Sequence, residues 1–163
     1  MSQAVSSLAQ EVGNLLRQRG LTLGLVESAT GGLLSHLITN APGSSDYYKG
    51  SVTAYSNAVK IKVVGVNEDA INKYGVVSSQ VAKEMAQGGR KVLATDICLA
   101  DTGIAGPSGA TLEKPVGLFY IGLSHKAGTY SQKHNFYGNR EQNKLDAANT
   151  ALRWLKEYLL SLK

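Results

Sequence analysis

Val5, Leu8, Val12, Leu15 and Leu16 recur at helical spacing and Gly20 follows as a stop, so the chain is predicted to open with an amphipathic helix. Leu21 to Val26 is an apolar run of strand length. It breaks into Ser28-Ala29-Thr30-Gly31-Gly32, after which the pattern to Asn40 is again helical and ends at Ala41-Pro42-Gly43. Tyr48 to Tyr55 alternates as a strand, and Ser56 is placed to cap a short helix that carries Lys60 in its first turns. Asn67 caps a predicted helix over Glu68 to Tyr74. Ser78 caps a longer one with Val81, Met85, Val92 and Leu93 as apolar positions, weakened by Gly88-Gly89.

Asp96 to Asp101 reads as a buried strand that runs into a Gly/Pro-rich loop, Thr102 to Gly109. Val116 to Leu123 and Tyr130 to Phe136, separated by Lys126-Ala127-Gly128, form a predicted antiparallel hairpin, and a last helix covers Arg140 to about Leu160. Helices and strands alternate over the first two-thirds and the hairpin comes late. The fold class is therefore α/β, a three-layer α/β/α sandwich with a mixed, mostly parallel sheet, in one domain spanning residues 1–163. Such sheets take ligands outside the carboxyl ends of their strands, where the Ser28 turn and the Thr102 to Gly109 loop are expected to face one pocket.

Composition narrows the chemistry. Cys98 is the only cysteine and sits among apolar residues, which excludes an internal disulfide and suggests a buried strand position. His36, His125 and His134 are scattered without metal-ligand spacing, and no metal or cofactor is expected. No stretch reaches the roughly 18 apolar residues of a membrane span, and Met1-Ser2-Gln3-Ala4 does not open a leader, so a soluble, cytoplasmic protein is expected. The net charge of +5 suits a small anionic ligand as well as nucleic acid. Without a basic stripe interleaved with aromatics or a helix-turn-helix pattern, nucleic acid is disfavoured. A homo-oligomer is expected, since small proteins commonly assemble so.

Ser28 stands at a strand-to-helix turn, where unpaired N–H groups carry partial positive charge and hold a phosphate or a developing oxyanion. With no histidine in reach by sequence, the candidate base is a lysine whose pKa is lowered by burial, and Lys60 fits, with Tyr55 to relay a proton or orient the amine. Blander readings stand beside these: Ser28 as a helix cap, Lys60 as a surface lysine and Tyr55 as a core aromatic. Phosphate-binding candidates are Thr30, the amides of Gly31 and Gly32, the loop from Gly103 to Gly109, and Arg140. Ser44 and Ser45 read as turn residues. The Ser-x-x-Lys of penicillin-binding enzymes is absent, Tyr55 and Lys60 are one residue too far apart for short-chain dehydrogenases, and no Gly-x-Gly-x-x-Gly follows the first strand.

Taken in order, Glu27-Ser28-Ala29-Thr30-Gly31-Gly32, Pro42-Gly43-Ser44-Ser45, Ala54-Tyr55-Ser56-Asn57-x-x-Lys60, Gly75-Val76-Val77-Ser78, Thr102-Gly103-Ile104-Ala105-Gly106-Pro107 and Glu113-Lys114-Pro115-Val116-Gly117 closely resemble the CinA C-terminal domain family, and Gly138-Asn139-Arg140 extends the match. That family contains nicotinamide mononucleotide amidohydrolases, so the resemblance implies hydrolysis of the carboxamide of nicotinamide mononucleotide to a carboxylate, with release of ammonia. It implies Ser28 as nucleophile, Lys60 as general base and Tyr55 as helper, with Ser45 and Thr102 lining the site, Arg140 near the phosphate and amides around Gly31 stabilising the oxyanion. The alternative is an inactive relative that binds a pyridine nucleotide or another phosphorylated metabolite. The family also occurs behind an N-terminal nucleotide-processing domain, whereas this chain opens on the first helix and reads as a stand-alone protein. It departs from the family at Asp101, where a small or apolar residue is usual, and at Asn139, where aspartate is usual; Asp101 is expected to bring a carboxylate near the pocket.

Overall fold

The computed structural model describes residues 3–163, with side chains from residue 7 onward, so Val5's side chain and Met1-Ser2 lie outside the described residues. The chain runs α1 (Gln3–Arg19), β1 (Leu23–Glu27), α2 (Leu33–Thr39), β2 (Tyr48–Thr53), α3 (Asn57–Val59), α4 (Glu68–Tyr74), α5 (Ser79–Val92), β3 (Ile97–Gly103), β4 (Leu118–His125), β5 (Gly128–Asn135) and α6 (Arg140–Ser161). A 3-10 turn covers Ser44–Asp46 and a π-helical turn covers Lys60–Val64.

The five strands form one sheet in the order β2-β1-β3-β4-β5. β1 is parallel to β2 and β3, and β4 is antiparallel to β3 and β5, so four strands share a direction and the sheet is mixed.

Period-two alternation assigns each strand residue to a face. Leu23 and Leu25 of β1, Ile97 and Leu99 of β3, and Ile121 and Leu123 of β4 pack under α1, α2 and α6 against Leu16, Ile38 and Leu152. Val26, Cys98 and Ala100 face the other way, against Val81, Met85 and Ala86 of α5. Burial of one such side chain contributes roughly 1.5–3 kcal/mol, so the two apolar faces hold the three layers together. Gly88-Gly89 do not interrupt α5. A Cβ on Gly88 would lie 2.0 Å from the Val64 carbonyl oxygen and one on Gly89 2.2 Å from Val26 Cγ2, so the pair lets the helix press onto the π turn and the sheet. Across from α5, a Cβ on Gly122 would meet the Ala82 carbonyl oxygen at 2.2 Å.

The same alternation continues to the carboxyl ends of β1 and β3. Glu27 and Asp101 fall on the α2 and α6 side, whereas Ser28 and Thr102 fall on the α5 side. No helix among the described residues is long and apolar enough to cross a membrane.

Candidate active site

Ser28 follows the last residue of β1 and is 8% exposed. Lys60 reaches it from the neighbouring crossover. Ser56 caps α3 by accepting a hydrogen bond from Val59 N (3.2 Å), and the chain then widens into the π turn, closed by Val66 N to Lys60 O (3.0 Å) and by Gly65 in the left-handed region. Lys60 heads that turn and is 1% exposed. Its Nζ lies 2.9 Å from Ser28 Oγ, 2.7 Å from Ala54 O and 3.2 Å from Tyr55 O.

Those three contacts fix what the amine can do in its neutral form. A neutral amine has two hydrogens and one lone pair. The two carbonyls only accept, so they take the two hydrogens, and the lone pair is left for the Ser28 hydroxyl proton. Burial pulls the Lys60 ammonium below the ordinary lysine value, opposed by the charge of Asp101. Lys60 is thus a buried side chain and not a solvated surface lysine.

The pair opens into a cavity of about 300 Å³, lined also by Tyr55, Asn57, Thr102, Gly103, Gly106 and Arg140, among others. That volume sits at the lower end of small-molecule sites, roughly 300–1,000 Å³. Thr102 Oγ1 donates to Val76 O (2.9 Å) and pins the chain between α4 and α5 against the cavity wall. Arg140, the first residue of α6, donates through Nη1 to Gly106 O (2.7 Å) and through Nη2 to the Tyr55 hydroxyl (3.3 Å), closing the rim and leaving further N–H groups for a ligand. Asn143, fully buried one turn later, donates to Ala105 O (3.0 Å) and accepts from Gly138 N (2.9 Å), which fixes the loops on either side of Arg140. Asn139 caps α6 by accepting from Gln142 N (2.9 Å), the role an aspartate would fill there.

Several expected positions are placed elsewhere. Tyr55 does line the cavity, but its side chain is 64% exposed and touches Arg140; it is the Tyr55 main-chain carbonyl that meets Lys60. Thr30 does not line the cavity: its hydroxyl is buried on the opposite face, 2.7 Å from Glu27 Oε1 and 2.5 Å from Asp101 Oδ1. The free amides at the start of α2, just beyond the cradle expected from Thr30, Gly31 and Gly32, are taken by the protein's own carboxylate. Glu27 accepts from Leu34 N (2.7 Å) and Ser35 N (3.1 Å). Gly31 N donates to Ser28 O (3.1 Å), and the Ser28 and Thr30 amides donate to Asp101 (3.2 and 3.1 Å), so these groups are not free for an oxyanion. Ala29 N, next to Ser28 at the cavity, has no acceptor among the described residues. Asp101 itself turns away from the cavity, because it alternates with Thr102. Ser45 is exposed in the 3-10 turn before β2, whose Tyr48 pairs with Leu23 at the start of β1. At roughly 3.3 Å per residue, the five residues from Leu23 to Ser28 span about 16 Å, so Ser45, on the Leu23 side, lies at the other end of the sheet from Ser28.

Comparison with known proteins agrees with the fold. The profile of the CinA C-terminal domain matches residues 5–159. This chain belongs to the CinA C-terminal domain family. A Halothermothrix orenii protein named as competence-damage inducible is 52% identical over 155 residues, which are 94% of this chain and 38% of that protein. A CinA-like protein of Geotalea uraniireducens is 45% identical over 152 residues, 93% of this chain and 36% of that protein. The chain therefore spans a little over a third of the length of the curated relatives it matches. Among solved structures, a CinA superfamily protein from Klebsiella pneumoniae superposes with a TM-score of 0.94 at 27% identity, covering 98% of this chain and 100% of that one. The competence/damage inducible protein CihA from Agrobacterium tumefaciens gives 0.90 at 33% identity, covering 99% and 98%.

Sequence reasoning assigned no task to Glu27 or Asn143. Strand alternation held a signal for the first, since Leu23, Leu25 and Glu27 share a face and that face is buried. Asn143 lies inside a long helix with nothing local to mark it; only the tertiary contact with Ala105 reveals its use.

Proposed function

We propose that this domain hydrolyses the carboxamide of nicotinamide mononucleotide to nicotinate mononucleotide and ammonia, through Ser28 and Lys60. The observation that carries the reading is the Lys60 amine, 2.9 Å from Ser28 Oγ with two main-chain carbonyls on its other sides. The resemblance to a family with amidohydrolase members supplies the substrate, and the cationic rim at Arg140 suits its phosphate.

Ser28 Oγ attacks the carboxamide carbon while its proton passes to the Lys60 lone pair. The Ala29 amide, immediately after the nucleophile, faces the developing oxyanion, a contact worth about 3–4 kcal/mol per donor in measured cases. Lys60 then returns the proton to the nitrogen as the C–N bond breaks, and ammonia leaves. Water, deprotonated by the same amine, hydrolyses the ester on Ser28. The Tyr55 carbonyl orients Lys60, its phenol holds Arg140, and Thr102 keeps the cavity wall in place.

Purified protein incubated with nicotinamide mononucleotide is expected to release ammonia, and Ser28→Ala and Lys60→Ala are expected not to. Tight binding of the nucleotide without ammonia would replace the enzyme by a binding protein with the same pocket.

A further inference from the structure

Behind the proposed nucleophile, on the other face of the sheet, three buried oxygens meet. Thr30 Oγ1 lies 2.7 Å from Glu27 Oε1 and 2.5 Å from Asp101 Oδ1. Glu27 is fully buried and Asp101 is 2% exposed. A threonine hydroxyl has one hydrogen, and ionised carboxylates only accept. With both acids ionised, one of the two contacts is oxygen against oxygen with no proton between. The ion pairs among the described residues are Arg17–Asp46 and Lys156–Glu11, so no cation within pairing distance relieves the two acids.

The partners show which acid carries the extra proton. Besides Thr30, Glu27 accepts from Leu34 N, Ser35 N and Ser35 Oγ (2.7, 3.1 and 2.7 Å), a full shell for a carboxylate. Asp101 accepts from the Ser28 and Thr30 amides at 3.2 and 3.1 Å and has no other donor besides the contested hydroxyl. We propose that Asp101 is neutral in the folded protein, donating from Oδ1 to Thr30 Oγ1, which in turn donates to ionised Glu27, and that this chain keeps Lys60 uncharged. Asp101 is then a positioning residue. It ties down the Ser28 and Thr30 amides, and it stores beneath the nucleophile the proton that an Asp101 anion would otherwise draw onto the amine.

The surroundings agree. The charged groups that act on or feel Asp101 are Glu27 from β1 and Lys60 from the π turn, and Lys144 of α6 reaches the turn after Ser28, its Nζ 3.6 Å from the Cβ position of Gly31. Ile121 of β4 pairs with Asp101 in the sheet and is apolar. Burial first, and the Glu27 charge as well, lift the Asp101 carboxyl to about 6, against the hydrogen bonds from Thr30 and the two amides. Once Thr30 gives its proton to Glu27, the largest of those opposing contacts is gone and the carboxyl moves further up. An ionised Asp101 raises the Lys60 value; a neutral one does not.

The catalytic consequence rests on the Ser28–Lys60 reading, but the location of the proton does not. Infrared titration of the whole chain labelled with 13C at the aspartate carboxyls reads it directly. At neutral pH a protonated-carboxyl stretch is expected, lost in Asp101→Asn, shifted in Thr30→Val, which removes its acceptor, and preserved in Thr30→Ser. Only ionised aspartates in the wild type at neutral pH, or a protonated band indifferent to both Asp101→Asn and Thr30→Val, would overturn the proposal, whatever the protein does to nicotinamide mononucleotide. If ammonia is released, Asp101→Asn is expected to leave the acid limb of kcat/KM unmoved. A limb moved down by a pH unit or more would mean that an anion had been removed beside Lys60, against the proposal.

Discussion

Two buried polar clusters back onto each other at the end of β1, and they are satisfied in opposite ways. On the α2 side, Glu27 and Asp101 are held by backbone amides and hydroxyls. On the α5 side, Ser28 and Lys60 meet one another and two carbonyls, and then open space. A polar group whose partners are all protein serves the fold, whereas one with a free direction toward a cavity is available for chemistry. Two adjacent residues, Glu27 and Ser28, fall on the two sides of that division because strand alternation sends them to opposite faces.

Substitutions on the open side are expected to remove activity and spare the fold. Ser28→Ala should lower ammonia release from nicotinamide mononucleotide by about 10⁴-fold or more while the thermal midpoint stays nearly unchanged. Lys60→Met should cost about 10²–10⁴-fold, the usual share of a general base. It also has a signature in stability. The folded Lys60 value is lowered, so at alkaline pH below 10.5 the unfolded chain binds more protons and stability rises with pH. Denaturant titrations of Lys60→Met across that range should lack this component of the rise.

The closed side should respond in stability first. The Asp101 value rises from 3.8 to about 6 on folding, so the native state holds a proton that the unfolded chain has already lost. Its contribution is complete below about pH 4, has fallen by about 3 kcal/mol by about pH 6, and goes on falling above that pH for as long as the relay keeps Asp101 neutral. The stability difference between Asp101→Asn and the wild type should grow in favour of the variant by that amount over the same window. At the rim the effects are smaller. Arg140→Ala should raise KM for the nucleotide about tenfold or more, as loss of a charged hydrogen bond does, with a lesser effect on kcat. Tyr55→Phe removes only the 3.3 Å contact to Arg140 and should change KM by less than Arg140→Ala.

The fold was legible because its signals are local and repeated. Gly20 ends α1, the caps Ser56, Asn67 and Ser78 fall where sequence places them, and the alternation of apolar runs predicts the layers. The pairing of Ser28 with Lys60 was legible in outline, from a hydroxyl at a strand end and a lysine after a strand-to-helix transition. The direction of each side chain was not. Thr30 and Gly31 look like a phosphate cradle in sequence, since a glycine-rich helix start is the same string whether an external anion or Glu27 occupies it. Tyr55 looks like a proton relay for the same reason: five residues of spacing do not reveal that the carbonyl, and not the phenol, meets the amine. Gly88-Gly89 reads as a weakness until Val64 and Val26 are seen pressed against it.

Acid quenching of the enzyme during turnover of nicotinamide mononucleotide, followed by peptide mapping, tests the attack by Ser28 most directly. A nicotinate mononucleotide ester on Ser28, absent from Ser28→Ala, is expected. Ammonia release at the wild-type rate from Ser28→Ala, or an acyl group on any other residue, would contradict the account.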